Sequence, residues 1–168
     1  MLRKSKGSIL VTTVIIFSIV IILAMTSIGV SYNNLSIFNL DYKDETLKQH
    51  SYGAMEVVHS NILREVNLIK EYAIDEDDFY TSFSGLSFIN NIKDISKCKI
   101  KNVIVSIPSR ISINREEKSV DFEILITIKD GNYIKKLKSK VKILNPFNED
   151  LSIDDKTDIV KLYNYKEI

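Results

Sequence analysis

Few residues in this chain have a type and spacing suited to chemistry. His50 and His59 are the only imidazoles, and nine positions apart at about 100° per residue they fall on opposite sides of a helix and cannot share a metal. Both are expected to be exposed. The run Asp75-Glu76-Asp77-Asp78 gathers four carboxylates, yet it lacks the D-x-D-x-D-G spacing that wraps calcium and is expected to be a solvated loop. Gly7, Gly29, Gly53, Gly85 and Gly131 are too scattered for a phosphate-binding loop, and neither G-x-S-x-G nor H-E-x-x-H occurs. The sequence therefore predicts no catalytic residue, no cofactor and no metal site.

One charged pattern is suited to binding. Lys136, Lys138, Lys140 and Lys142 alternate with Leu137, Ser139 and Val141, so on a strand they share one face at intervals of about 6.8 Å, comparable to phosphate spacing along a nucleic acid strand. They form a candidate contact for an anionic partner, DNA or a surface ligand. The competing expectation is a solvated face whose charges discourage aggregation and are offset by Asp121 and Glu123 on the neighbouring strand.

What positions these residues begins with the N-terminal stretch. Arg3, Lys4 and Lys6 precede Gly7-Ser8, after which no charged residue occurs until Asp41. Ile9 to Val30, about 22 residues or roughly 33 Å of helix, matches the hydrocarbon core of a bilayer. Its Ile, Leu, Val and Phe residues each favour insertion by about 0.3–0.6 kcal/mol, and the basic cluster in front of it is expected to hold the N-terminus in the cytoplasm with the remainder outside. The run is longer than the apolar core of a cleavable secretory signal. Net charge is +1, so no global field points to nucleic acid. Cys98 is the only cysteine, which excludes an intrachain disulfide and lipoprotein anchoring.

The order Lys6-Gly7-Ser8-Ile9-Leu10-Val11 resembles the processing site of type IV prepilins and pseudopilins. In that family a membrane peptidase cuts after the glycine on the cytoplasmic side and methylates the new N-terminus. The likeness runs from Arg3 to about Tyr72 and is nearest to minor pilins with a PilX-type N-terminus and to tip pseudopilins of type II secretion. Ser8 stands where an aromatic is usual, and Thr12 where most pilins carry a glutamate; both departures occur in the tip-type branch. The resemblance implies processing at Gly7 and Ser8, assembly roles for Thr12 and Gly29, and as partners a prepilin peptidase, the membrane and other pilins. Gly29 falls where many major pilins carry a proline at which the helix bends, and a small residue there also permits close helix packing.

Beyond the membrane segment the pattern stays helical. Leu47, Met55, Val58, Ile62, Val66, Ile69 and Ala73 recur, from Met55 on, at spacings of three or four, with Lys48, Glu56, Arg64, Glu65 and Lys70 expected on other faces. With no proline between Ser8 and Tyr72, a nearly continuous helix of about 65 residues and roughly 100 Å is expected, preceded by an extended segment at Gly7. A loop and a short helix near Leu86–Ile95 follow. From Cys98 the period becomes two. The expected strands are Cys98–Ile107, Arg110–Asn114, Ser119–Lys129 and Tyr133–Leu144, with Pro108 at an edge or bulge and a hairpin at Asp130-Gly131-Asn132. Pairing the odd positions of the last strand with Val120–Ile128 gives one apolar face, and a slip of one residue would bury four lysines. The tail is acidic, then mildly helical around Ile159, Leu162 and Tyr163.

The expected fold is α+β and pilin-like: a long N-terminal transmembrane helix packed on a C-terminal antiparallel meander of about four strands. Its expected segments are a leader (1–7), a transmembrane helix (8–30), its amphipathic continuation (31–73), a loop with a short helix (74–97), the sheet (98–144) and a tail (145–168). The expected function is structural and not enzymatic, a tip or initiation subunit of a type IV pilus or a type II secretion-like filament, carried outside the cell after assembly. The alternative is a single-pass anchored protein with a small extracytoplasmic partner-binding domain.

Overall fold

The computed structural model describes residues 2–96, 99–148 and 159–168. The chain divides into two compact units, Met1–Glu45 and Thr46–Ile168. Helix α1 (Leu2–Tyr72) supplies all the described structure of the first unit and the opening element of the second. In the first unit the apolar side chains from Ile9 to Leu40 are exposed, with Phe17, Met25 and Ile28 each 66–69% accessible. This helix is long and apolar enough to cross a membrane. β-Branched residues are mediocre helix formers in water. A helix satisfies its backbone within the segment itself, as an apolar medium requires.

In the second unit α1 turns one stripe inward. Leu47, Ala54, Met55, Val58, Ile62 and Val66 are buried, with Ile69 and Ala73 packed at the margin, which is the expected three-and-four spacing. Three polar residues share the stripe. Ser51 Oγ donates to the Leu47 carbonyl at 2.8 Å, and Asn61 Nδ2 donates to the Asp94 carbonyl at 2.7 Å. Glu65, expected on an outer face, is instead buried and accepts from Asn91 Nδ2 at 2.8 Å. Asn61 and Glu65 serve the end of a packed helix and Ser51 closes on its own helix, so a stripe read from hydrophobicity alone omits them.

The stretch expected as a loop after α1 holds a further helix. Asp75 caps α2 (Glu76–Phe83), its Oδ1 accepting from the Asp78 amide at 2.9 Å, and Glu76, Asp77 and Asp78 fill the first turn. Carboxylates there are favoured by the partial positive charge of the helix N-terminus. Helix α3 (Leu86–Lys93) follows close to its expected place. Phe79, Phe83 and Phe88 pack edge-to-face at 4.9 Å centroid separations and reach Phe122 of the sheet at 6.1 Å.

The sheet has five antiparallel strands: β1 (Val103–Ser106), β2 (Ser112–Asn114), β3 (Ser119–Asp130), β4 (Tyr133–Leu144) and β5 (Val160–Glu167). Three details differ from the expected meander. First, β1 and β2 do not pair with each other. They lie end to end along one edge of β3, Val103 opposite Ile128 and Ser112 opposite Asp121, because Pro108 interrupts what is otherwise one edge strand. Ser109 Oγ fills the gap by accepting from the Glu123 amide at 2.9 Å. Cys98, the expected start of the first strand, lies outside the described residues.

Second, the tail expected to be helical forms β5 on the open edge of β4, Val160 opposite Ile143 and Leu162 opposite Val141. Third, that pairing is broken by a bulge opposite Lys138 and Lys140, where Asn164 takes a φ of +55°. The β3–β4 register is the expected one: Phe122 faces Val141, Ile126 faces Leu137, and every even residue from Val120 to Ile128 is buried. Gly131, with φ of +60°, takes the first central position of the hairpin turn, the place a II′ turn reserves for glycine.

Ile62 is fully buried at the centre of the α1 stripe. Ile62→Ala should cost about 2–5 kcal/mol, a large part of the roughly 5–15 kcal/mol that holds such a domain. Thermal melting of the detergent-solubilised protein should show it as a clear loss, whereas Lys136→Ala should stay within about 0.5 kcal/mol. Equal, small shifts for both would show that α1 is not the floor of the core.

Candidate functional site

The expected site residues fall in two places, one in each unit. In the first unit Gly7, Ser8, Thr12 and Gly29 all lie within α1. Gly7 is helical and not part of an extended segment, since the helix already begins at Leu2. Nothing in the preceding residue types opposes a helix, and glycine's cost of about 1 kcal/mol is absorbed by the ladder on either side. A Cβ built at Gly7 or at Gly29 meets nothing within 4 Å, so packing inside this chain requires glycine at neither position.

Hydroxyls within the apolar run close on their own helix. Thr12 Oγ1 donates to the Ser8 carbonyl at 2.9 Å, Thr13 to that of Ile9, and Ser18 to that of Val14 at 2.9 Å. Thr26 Oγ1 reaches both the Ile22 and Leu23 carbonyls at 2.9 Å. These bonds satisfy the hydroxyls of Thr12, Thr13, Ser18 and Thr26, and none of the four needs an outside partner. Thr12 is thus a neutral, internally satisfied group at the place where the resemblance would have a carboxylate.

In the second unit Lys136, Lys138, Lys140 and Lys142 do share the outer face of β4, while Leu137, Ser139, Val141 and Ile143 are buried beneath. Lys138 pairs with Glu123 at 2.7 Å and Lys142 with Glu117 at 2.6 Å. That hydrogen bond to Glu117 raises the Lys142 pKa above its ordinary value, so the ammonium is held charged. β5 adds residues to this face that periodicity did not reveal: Lys161 stands opposite Lys142, Tyr163 opposite Lys140 and Lys166 opposite Lys138. The signal was the alternation Val160, Lys161, Leu162, Tyr163, which is cut short by the bulge.

His59 departs from its expected exposure. It is half-buried, with Nε2 fully enclosed and without a hydrogen-bond partner, beside Val160, Leu162 and Tyr165 of β5. His50 is exposed. Among the described residues no group of three or more His, Cys, Asp or Glu side chains is placed to hold a metal ion.

No protein-family model matches the chain, and neither a curated protein nor a solved structure matches it. The site must speak through its own chemistry.

Because the Thr12 hydroxyl is satisfied internally, Thr12→Val should leave membrane insertion unchanged in a microsomal insertion assay. Thr12→Asp places an unpaired carboxylate in the run, at a cost reaching about 2.5–3.5 kcal/mol near a helix centre, and should lower the inserted fraction. A deficit for Thr12→Val would mean that the hydroxyl engages a group outside the helix.

Proposed function

We infer that this chain is a membrane-anchored minor pilin or pseudopilin, a tip or initiation subunit of a type IV pilus or related secretion filament. The observation that carries this reading is a mismatch of lengths. From Ser8 to Leu40 the helix is uncharged over about 33 residues, roughly 50 Å. A bilayer core takes only about 30 Å. Beyond it Leu35, Ile37 and Phe38 remain 57–65% exposed, apolar surface that water disfavours by about 25 cal/mol per Å². A lone anchor has no use for this surplus. A subunit packed among like helices does.

The head of the helix supports the same reading. The basic cluster and Gly7 resemble a prepilin processing site, and the excess positive charge favours a cytoplasmic N-terminus with the second unit outside. In such a filament a buried carboxylate near position 12 is tolerable because it pairs with the N-terminal amine of the subunit added before it. Thr12 has no charge to pair in that direction, while an amine at Ser8 can still receive the carboxylate of the subunit that follows. This asymmetry suits a subunit added first.

Processing is tested by intact mass and N-terminal peptide mapping of protein from cells that mature their other prepilins. The expected product begins at Ser8, and an uncut Met1 or Leu2 terminus would overturn the filament reading. Placement is tested separately by immunogold labelling. Label concentrated at filament ends is expected, and regular label along the shaft would exclude a tip role.

A further inference from the structure

The outer face of β3, β4 and β5 is charged far beyond what the four lysines of one strand suggested. Registered across the three strands it presents Lys129, then Lys136, Lys138, Lys140 and Lys142, then Lys161 and Lys166, against Asp121 and Glu123. The two carboxylates sit toward the end of the sheet that carries Lys142. Toward the hairpin the charged residues of this face are lysines, with Asp130 at the turn itself on the alternate side of β3. Among the described residues Lys129, Lys136, Lys140 and Lys166 have no side-chain ion pair.

One feature of this face lacks a structural reason among the described residues. β5 places Lys166 opposite Lys138 and Lys161 opposite Lys142, but Glu123 and Glu117 offset the β4 ammoniums there and β5 is itself an edge. Lysines on an edge strand are explained by the need to block pairing with other chains. β4 is not an edge, because β3 and β5 cover both of its sides. Its lysines therefore have no such duty.

We propose that this lysine face binds the phosphate backbone of a nucleic acid duplex without reading its sequence. Ammonium groups recur at about 6.8 Å along β4, with Lys129 beside them on β3 and Lys161 and Lys166 on β5, adjacent strands lying about 4.8 Å apart, so the cluster of positive charge is wider than one strand. Lysine acts as a compact point charge and lacks the fork with which arginine reads guanine edges. Tyr163 is the one aromatic on the face, and it is 38% exposed, which gives no platform for stacking successive unpaired bases. The contact is thus with backbone charge, and affinity arises from displaced counterions. It does not rest on the filament reading, since an anchor that keeps its leader would carry the same face.

The test uses the full chain in detergent or nanodiscs and a fluorescent duplex of about 30 base pairs of mixed sequence. If the four unpaired lysines each neutralise a phosphate, affinity should fall by about 100-fold between about 50 and 200 mM salt, following a slope of about −0.9 per phosphate. Replacing Lys136, Lys140 and Lys166 together by Gln should reduce that slope by about 2.7 and weaken binding at low salt by at least tenfold. The same three positions changed to Arg should bind as the parent does, and Lys70→Gln with Lys93→Gln, elsewhere on the unit, should change little. The proposal is overturned by absence of binding at about 50 mM salt, by an unaltered slope in the triple Gln variant, or by equal loss in the remote pair. Competition by polyaspartate as effective as unlabelled duplex would also overturn it, since the face would then recognise charge and not the phosphate backbone.

Discussion

The rest of this structure depends on a helix that closes its backbone ladder, and most of the hydroxyls of its apolar run, within itself. Along the apolar run the backbone closes its own ladder, and Thr12, Thr13, Ser18 and Thr26 spend their hydroxyls on carbonyls one turn back. That is the condition for a segment to lie in lipid. It also limits what can hold such a helix to others: with no charge in the run and most of its hydroxyls already engaged, packing of side chains and backbone is the main force left. Gly29, with open space where a Cβ would stand, is the place in the run where such an approach is least obstructed.

The second unit uses the same helix differently. Its inward stripe ends in groups that serve α3, Asn61 donating to the Asp94 carbonyl and Glu65 holding Asn91. Burial of Ser51, Asn61 and Glu65 is tolerable because each has a partner, whereas an unpaired buried polar group costs about 1–3 kcal/mol. Asn145 does comparable work where β4 ends. Its amide donates to the Tyr80 hydroxyl at 3.2 Å and its oxygen accepts from the Phe147 amide at 2.9 Å. Burial raises the Tyr80 pKa, which further favours the protonated phenol. It ties α2 to the last turn of the sheet core.

How much of this was legible in the sequence follows from which forces act locally. The β3–β4 register could be read because a slip would bury Lys136, Lys138, Lys140 and Lys142 together, a penalty visible from alternation alone. The α1 stripe was legible for the same reason. β5 was not, because most of its residues are exposed on both faces and a bulge at Asn164 breaks its period; what makes it a strand is the unpaired edge of β4, a tertiary fact. Helix α2 was hidden by its own acids. Asp75 to Asp78 look like a solvated loop until the capping bond from Asp78 to Asp75 is considered, and then the same carboxylates mark a helix start. Of the site residues, Thr12 closes on the Ser8 carbonyl one turn back, which its residue type permits and a glutamate carboxylate there would not. The lysine face was under-read, since Lys161 and Lys166 reach it only through β5.

That under-reading carries a general point about charge. A net charge of +1 over the chain rules out a global field, yet it does not describe any one surface. Salt screens exposed charges beyond roughly 8 Å at physiological ionic strength. A ligand arriving at the outer sheet therefore meets Lys129, Lys136, Lys140 and Lys166 first, and among the described residues acids that lie beyond this range do not neutralise the face. Glu123 and Glu117 do so only where they touch Lys138 and Lys142. The field is set by strand register, which assigns each lysine its neighbours, and register is in turn held by the apolar residues on the hidden side of the same strands. Packing that has no contact with any partner thus decides how the charged surface is presented.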